Sequence, residues 1–183
     1  MKLLQFVCLA SYYGFARYLP VSYSKPFGKI SKKIRYYLCK NIFAKTGHNA
    51  NIERGAYFGK GTWVEIGKNS SIGVNSHKQN NTIIGDDVMM GPNTYMLDNT
   101  THNFARTDIT MIAQGKKKYA DRSQVIIGND VWIGRDVMIL GSKIIADGSI
   151  IGARTLLTKN FPPYSIIGGN PSKLIRSRLE PKD

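Results

Sequence analysis

Aliphatic residues recur at a fixed step of six along the later part of the chain: Ile127, Ile133, Ile139, Ile145, Ile151 and Leu157. Gly128, Gly134, Ala146 and Gly152 follow four of these positions directly. An amphipathic helix repeats every 3.6 residues and a half-buried strand every two, so neither produces this step. A step of six belongs to a parallel β-helix, in which each hexapeptide lays one short strand on one side of a prism and turns its aliphatic residue inward. Asn129, Asp130 and Asp147 suit corners, where the backbone bends and often takes positive φ.

An earlier block keeps the same step. Ile66, Ile72, Ile84, Met90 and Met96 share one phase, with Gly67, Gly73, Gly85 and Gly91 just behind them. Lys78 stands where an aliphatic residue is expected, inside the polar run Asn75-Ser76-His77-Lys78-Gln79-Asn80-Asn81, which predicts a bulged corner. Further upstream, Ile52 and Phe58 predict an irregular opening coil. The two blocks differ in phase by one residue, and an unpatterned polar segment at about 97–124 separates them. Each coil must pair with the next, so this segment is expected to be extruded sideways as a loop. Segments of that length are usually functional or disordered.

The pattern closes at Phe161-Pro162-Pro163-Tyr164. Gly168-Gly169-Asn170-Pro171 then turns the chain into a basic tail, expected to be a short C-terminal helix through Leu174 and Ile175. Ahead of the repeats, Ile30, Ile34, Leu38 and Ile42 step by four and predict an apolar helical stripe, with Lys32, Lys33, Arg35 and Lys40 off it. The expected organisation is a helical arm at 1–46, a repeat prism at 47–168 carrying the loop, and a basic tail at 169–183. The class is all-β.

A chain of 183 residues can build one domain with a continuous core and appendages. Its charge refines this picture. The formal net charge is +14, and nine of the 26 Lys and Arg residues fall within 1–46, where there is no acid; the first acidic residue is Glu53. The same arm holds Tyr12, Tyr13, Tyr18, Tyr23, Tyr36 and Tyr37. One role for it is to cap the first coil, as solenoids require. A second, added to the first, is peripheral contact with an anionic membrane face or a phosphate-bearing lipid carrier.

No apolar run approaches the roughly 20 residues of a membrane span, and residues 1–16 do not form a convincing signal peptide. Cys8 and Cys39 suggest neither a disulfide framework nor a zinc site. The expected setting is cytoplasmic, with peripheral contact at the inner face of the membrane as its extension. No helix-turn-helix, finger or RNA-binding motif accompanies the basic charge, so nucleic acid is not an expected partner.

Three histidines are present, His48, His77 and His102. They lie too far apart for a three-imidazole zinc site, and no metal is expected. His102, in the polar loop, can take a proton from a hydroxyl or amine nucleophile, although a loop histidine can also be merely solvated. Trp132 precedes inward Ile133 and so points out of the prism, either to pack between subunits or to flank an extended apolar ligand. Lys159 also faces outward, and with Lys173 and Arg176 it could form a patch for phosphate groups.

Taken together, Asp130-Val131-Trp132-Ile133-Gly134, Ile151-Gly152-Ala153, Leu157-Thr158-Lys159-Asn160, Pro162-Pro163-Tyr164 and Gly169-Asn170-Pro171-Ser172-Lys173 with Ile175-Arg176 closely resemble the hexapeptide-repeat acetyltransferases. The branch resembled contains the maltose, galactoside and virginiamycin O-acetyltransferases and many polysaccharide acetyltransferases. The resemblance covers about 50–178. It implies a left-handed parallel β-helix, an exception to the right-handed crossover rule. It also implies a homotrimer with active sites between neighbouring prisms and acetyl-CoA as cosubstrate, without a metal.

By the same resemblance His102 matches the general base and Trp132 the tryptophan beside the pantetheine arm. Arg135 holds the position whose backbone N–H faces the thioester carbonyl. Ala153, Thr158 and Lys159 match cofactor-contacting positions, and Lys173 and Arg176 match basic residues near the CoA phosphates. Asp108 is a candidate to orient His102. The family's acceptor-binding residues do not align with the run from Asn75 to Asn81, and the basic arm replaces a more acidic start. The expected acceptor is therefore a sugar hydroxyl of a polysaccharide or lipid-linked glycan. An antibiotic, a small metabolite or a nucleotide-sugar amine is the alternative, and a non-catalytic scaffold is the reading from another class.

Overall fold

Backbone alternation decides which residues of each hexapeptide build the core: along a short strand, side chains point alternately into the prism and out of it. The computed structural model describes residues 2–77, 81–97, 102–115 and 124–180. Helices α1 (Leu3–Gly14) and α2 (Gly28–Ile42) come first. Ahead of the loop lie β1 (Lys45–Thr46), β2 (Asn51–Ile52), β3 (Trp63–Ile66), β4 (Ser71–Ile72), β5 (Asn81–Ile84), β6 (Met89–Met90) and β7 (Tyr95–Leu97). The loop carries α3 (Met111–Gln114). After it run β8 (Val125–Ile127), β9 (Trp132–Ile133), β10 (Met138–Leu140) and β11 (Lys143–Ile145), then β12 (Ile150–Ile151), β13 (Leu156–Leu157), β14 (Ser165–Gly168) and β15 (Lys173–Ser177).

The strands stack in parallel on three faces. The first face is β1-β3-β5-β8-β11. The second is β2-β4, continued through a Ser71 N–H to Val88 O bond of 2.9 Å into β6-β9-β12-β14. The third is β7-β10-β13, extended by bridges linking Tyr57, His77 and Tyr95. Trp63 pairs with Asn81, Val125 with Lys143, Trp132 with Ile150 and Met138 with Leu156, each a step of three hexapeptides. Across the loop, Thr82 pairs directly with Val125 and Tyr95 with Met138, so the prism continues as though the intervening chain were absent.

Both ladders line the interior: Ile66, Ile72, Ile84, Met90 and Met96, and Ile127 through Leu157, are all buried. A second inward column lies two residues ahead on each rung, where Ala50, Ser70, Val88, Val131 and Ser149 are buried. Corner Asx side chains tie coil to coil. Lys68 N–H donates to Asp86 Oδ1, Asp86 N–H to Asn129 Oδ1 and Asn129 N–H to Asp147 Oδ1, at 2.7–2.8 Å. Of the expected corner residues, Asp130 takes positive φ at 53°.

The helical pair closes the first coil. Tyr12 Oη donates to Ala56 O and Tyr13 Oη to Gly59 O, each at 2.9 Å, and Tyr12 and Phe43 both pack on Phe58. The buried side of α2 differs from the expected stripe. Of that stripe Ile42 is buried and Ile34 and Leu38 pack partly buried on the core, but Ser31, Arg35 and Cys39 also face inward and Ile30 is 57% exposed. An aliphatic stripe cannot supply donors to the carbonyls that face this side, Ile52 O of the first coil and Leu19 O and Pro20 O between the helices. Arg35 supplies them, with Nε 2.6 Å from Ile52 O and Nη1 3.2 and 3.0 Å from Leu19 O and Pro20 O.

Two further expectations are corrected. As far as His77 the polar run keeps its rung, since His77 pairs with both Tyr57 and Tyr95 and its ring stacks between theirs at 4.6 and 4.5 Å. The polarity there marks an outward aromatic stack; Lys78 lies outside the described residues. The basic tail is a strand rather than a helix. β15 runs antiparallel to β14 and occupies the edge that the last coil of the second face would leave open.

Candidate active site

The second face carries one continuous outward row. Asn51 pairs with Ser71, Ser71 N–H reaches Val88 O beside Met89, and Met89, Trp132, Ile150 and Ile166 then follow as direct partners. Each immediately precedes an inward ladder residue. The row is polar on its first two coils and apolar on the next four, with Trp132 51% exposed at its centre. Arg176 on β15 pairs with Ile166, and Lys173 on the same strand pairs with Gly168. The row thus ends on two cations. Trp132 and Arg176 are three strand spacings apart, about 14 Å.

Arg135 and Ala153 occupy stacked corners flanking this row, linked by the Arg154 N–H to Arg135 O bond of 2.9 Å. The corners are built by close backbone approach. A Cβ on Gly91 would lie 2.7 Å from Arg135 N, and one on Gly134 would lie 2.6 Å from Ala153 N. The Arg135 side chain is exposed, with Nε 3.5 Å from Asp136 Oδ2. Thr158 is fixed through Ser172, whose Oγ accepts from Thr158 N–H at 3.1 Å and lies 3.1 Å from Thr158 Oγ1. Ser172 immediately precedes Lys173, so Thr158 and Lys173 are held near one another. Lys159 is placed differently. Its Nζ lies over the Phe161 ring at 5.5 Å, at the corner leading towards the first face.

At the polar end of the row a cavity of about 420 Å³ is lined by Tyr23, Asn51, Ser71, Asn75, Asn93 and Arg135 among others. Glu53, at its margin, accepts from Ser22 N–H at 3.0 Å, from the Ser22 hydroxyl and from Asn51 Nδ2 at 2.9 Å. Burial alone would raise its pKa, but these donors and Arg35 hold the carboxyl below the usual range. Apart from Arg135, the cavity residues were not identified from sequence. The available signal was the pair of polar residues, Asn51 and Ser71, at outward positions that become apolar in every later coil.

His102 opens the described part of the loop and is exposed. The loop is knitted internally: Asn103 N–H donates to Gly115 O at 3.0 Å, and Arg106 and Gln114 exchange bonds of 3.1 and 2.9 Å. Phe104, Met111 and Ile112 are displayed outward. Asp108 does not serve His102; its carboxylate is engaged by the Arg106 guanidinium, which holds it below the ordinary carboxylate range. Within the single chain no hydrogen bond joins His102 to the Trp132 row among the described residues. Those residues also contain no group of three or more His, Cys, Asp and Glu placed to hold a metal ion.

No protein-family model matches the chain. Among curated proteins, it is 32% identical over 146 residues to the galactoside O-acetyltransferase of Escherichia coli K12, covering 78% of this chain and 68% of that protein. It is 47% identical over 62 residues to a chloramphenicol acetyltransferase of Agrobacterium fabrum, a match spanning 34% of this chain and only 30% of that relative. Among solved structures, a galactoside acetyltransferase in complex with coenzyme A superimposes with a TM-score of 0.70 and 28% identity, covering 95% of this chain and 80% of the other.

Proposed function

From the premise that this chain belongs to the hexapeptide-repeat acetyltransferases, which are CoA-dependent acyltransferases, we propose that it transfers an acetyl group from acetyl-CoA to a sugar hydroxyl of a polysaccharide or lipid-linked glycan unit. The observation that carries this reading is the outward row of the second face. Its apolar part, from Met89 through Trp132 and Ile150 to Ile166, fits an extended thioester arm, and Arg176 with Lys173 fits the phosphates at the far end. Its polar end opens on the asparagine-lined cavity, whose amides suit sugar hydroxyls. Acetyl-CoA supplies an activated acyl group, so the protein needs only to position, deprotonate and stabilise charge.

In this reading His102 accepts the proton of the acceptor hydroxyl as its oxygen bonds to the acetyl carbon. Backbone N–H groups, including that of Arg135, face the oxyanion. The carbon–sulfur bond then breaks and the proton passes from His102 to the leaving thiolate, which departs as the CoA thiol. Trp132, Ala153 and Thr158 line the arm. Lys159 is retained as a cofactor contact reached from the neighbouring corner. The prism is read as left-handed and the assembly as a homotrimer, in which the loop of one prism brings His102 to the row of the next. The outward Met111 and Ile112 on the loop support that contact.

An antibiotic acceptor is the second reading, favoured by the 47% identity to the chloramphenicol acetyltransferase. Thiol release from acetyl-CoA, measured against glycans, lipid-linked sugars and small hydroxylated acceptors, separates the two. Release that depends on a glycan supports the proposal. Release with chloramphenicol alone selects the second reading, and no release together with no CoA binding selects a scaffold.

A further inference from the structure

Helix α1 contains no charged residue from Leu3 to Gly14. Its inner side is accounted for by buried Cys8 and Tyr12 and by Gln5 Nε2, which donates to Ile42 O of α2 at 2.8 Å. Its outer side is not. Leu3, Leu4, Phe6 and Val7 are all exposed, Leu3 at 80% and none below 50%. A helix that is apolar on both sides is ordinarily enclosed by protein or lipid.

The surroundings select between these. Beside α1, helix α2 displays Ile30 and Tyr37, and Phe27 is exposed just ahead of it. Lys29, Lys33 and Lys40 are exposed on the same helix, and with Lys32 they line a groove of about 420 Å³ bounded by Ser22, His48 and Asn49. Lys32 Nζ donates to Asn49 Oδ1 at 2.8 Å. With no acid before Glu53, and Glu53 engaged by Arg35, none of these lysines has a carboxylate partner among the described residues. The cap thus displays an uncharged apolar ridge on α1 and, on α2, tyrosines and cations without a carboxylate partner, a composition complementary to a surface that is itself apolar within and anionic at its rim. The headgroup boundary of an anionic bilayer has that composition, and a protein groove would have to reproduce both features. No helix among the described residues is long and apolar enough to cross a membrane, so the contact is interfacial.

We propose that the α1–α2 cap docks on an anionic bilayer, with the outer side of α1 bedded at the headgroup boundary and Lys29, Lys33 and Lys40 on lipid phosphates. This stands independently of the acetyl-transfer reading. It also places the first coils, and the cavity at Tyr23, Asn51 and Ser71, at the membrane-proximal end of the prism.

The test is co-sedimentation of the full chain with phosphatidylcholine vesicles prepared with and without phosphatidylglycerol. The proposal predicts retention on the phosphatidylglycerol vesicles, release by high salt and little retention on phosphatidylcholine alone. Lys29→Glu, Lys33→Glu and Lys40→Glu together should weaken anionic-vesicle binding by at least about 100-fold. Leu4→Asp with Val7→Asp should abolish it while leaving the thermal midpoint unchanged, since both positions are exposed. Failure to bind either vesicle, or equal binding to both, overturns the proposal. So does a change in oligomeric state in the Leu4→Asp, Val7→Asp variant with vesicle binding intact, which would assign the ridge to another subunit.

Discussion

Arg35 reaches across the cap to Glu53, with Nη2 3.6 Å from the carboxylate and both side chains almost wholly withdrawn from solvent. The pair joins helix α2 to the first coil, and the guanidinium also serves three backbone carbonyls. Arg35→Ala leaves the buried carboxylate without its counter-charge and those carbonyls without their donor. It should cost about 3–5 kcal/mol of unfolding free energy, measured by urea denaturation. Arg35→Met combined with Glu53→Gln should recover part of that loss, because no unpaired charge remains. A single substitution costing under about 1 kcal/mol would show that the cap does not depend on this pair.

The same carboxyl predicts a pH dependence. The Glu53 pKa is held low in the folded chain, against about 4.3 when unfolded. A depressed carboxyl pKa contributes stability that is fully present above the unfolded value and is lost as pH falls through the folded value. The stability gap between the natural chain and Glu53→Gln should therefore be largest near neutrality and shrink on acidification below about pH 4. A gap that widens in acid would reverse the sign argued here.

Gly91 has no room for a side chain, since a Cβ would meet Arg135 N at 2.7 Å. Gly91→Ala should cost about 1–3 kcal/mol by forcing the two corners apart. It should also slow transfer by displacing the Arg135 N–H. Gly152→Ala, where the new carbon would lie 3.3 Å from Ile167 O, should be milder on both measures. Equal tolerance at the two sites would remove the link between corner packing and catalysis.

Trp132 is a large exposed ring that the core does not need. If it flanks the thioester arm, Trp132→Ala removes apolar contact present in both ground and transition states. The KM for acetyl-CoA should rise by about 10- to 100-fold with kcat little changed, and stability should hold. Unchanged KM with a shift in oligomeric state would instead make Trp132 a subunit contact.

The prism was readable because every rung repeats one physical demand, an aliphatic residue inside and a small or Asx residue at the corner. Ile127 through Leu157 state that demand without interruption. Arg35 was misread because the stripe through Ile30 and Ile34 encodes amphipathicity, whereas the need for donors to Ile52 O, Leu19 O and Pro20 O appears only once the first coil and the helix connection exist. Leu174 and Ile175 carry no period long enough to separate helix from strand, and the open edge beside β14 decided the outcome. His77 looked like part of a polar interruption because its partners, Tyr57 and Tyr95, come from neighbouring coils. The cavity had the same obstacle: Tyr23, Asn51, Ser71 and Asn93 meet only through the stacking of coils. Trp132 was legible as an outward ring and Arg176 as part of a basic patch with Lys159 and Lys173; the row joining Trp132 to Arg176 belongs to the sheet.

The central claim is that His102 acts as base for acyl transfer at the Trp132 row. The most direct test is turnover of acetyl-CoA with a productive acceptor by His102→Ala, measured beside its CoA affinity. The account predicts a fall of about 10²- to 10⁴-fold in turnover with CoA binding preserved. Turnover close to that of the natural chain would contradict it.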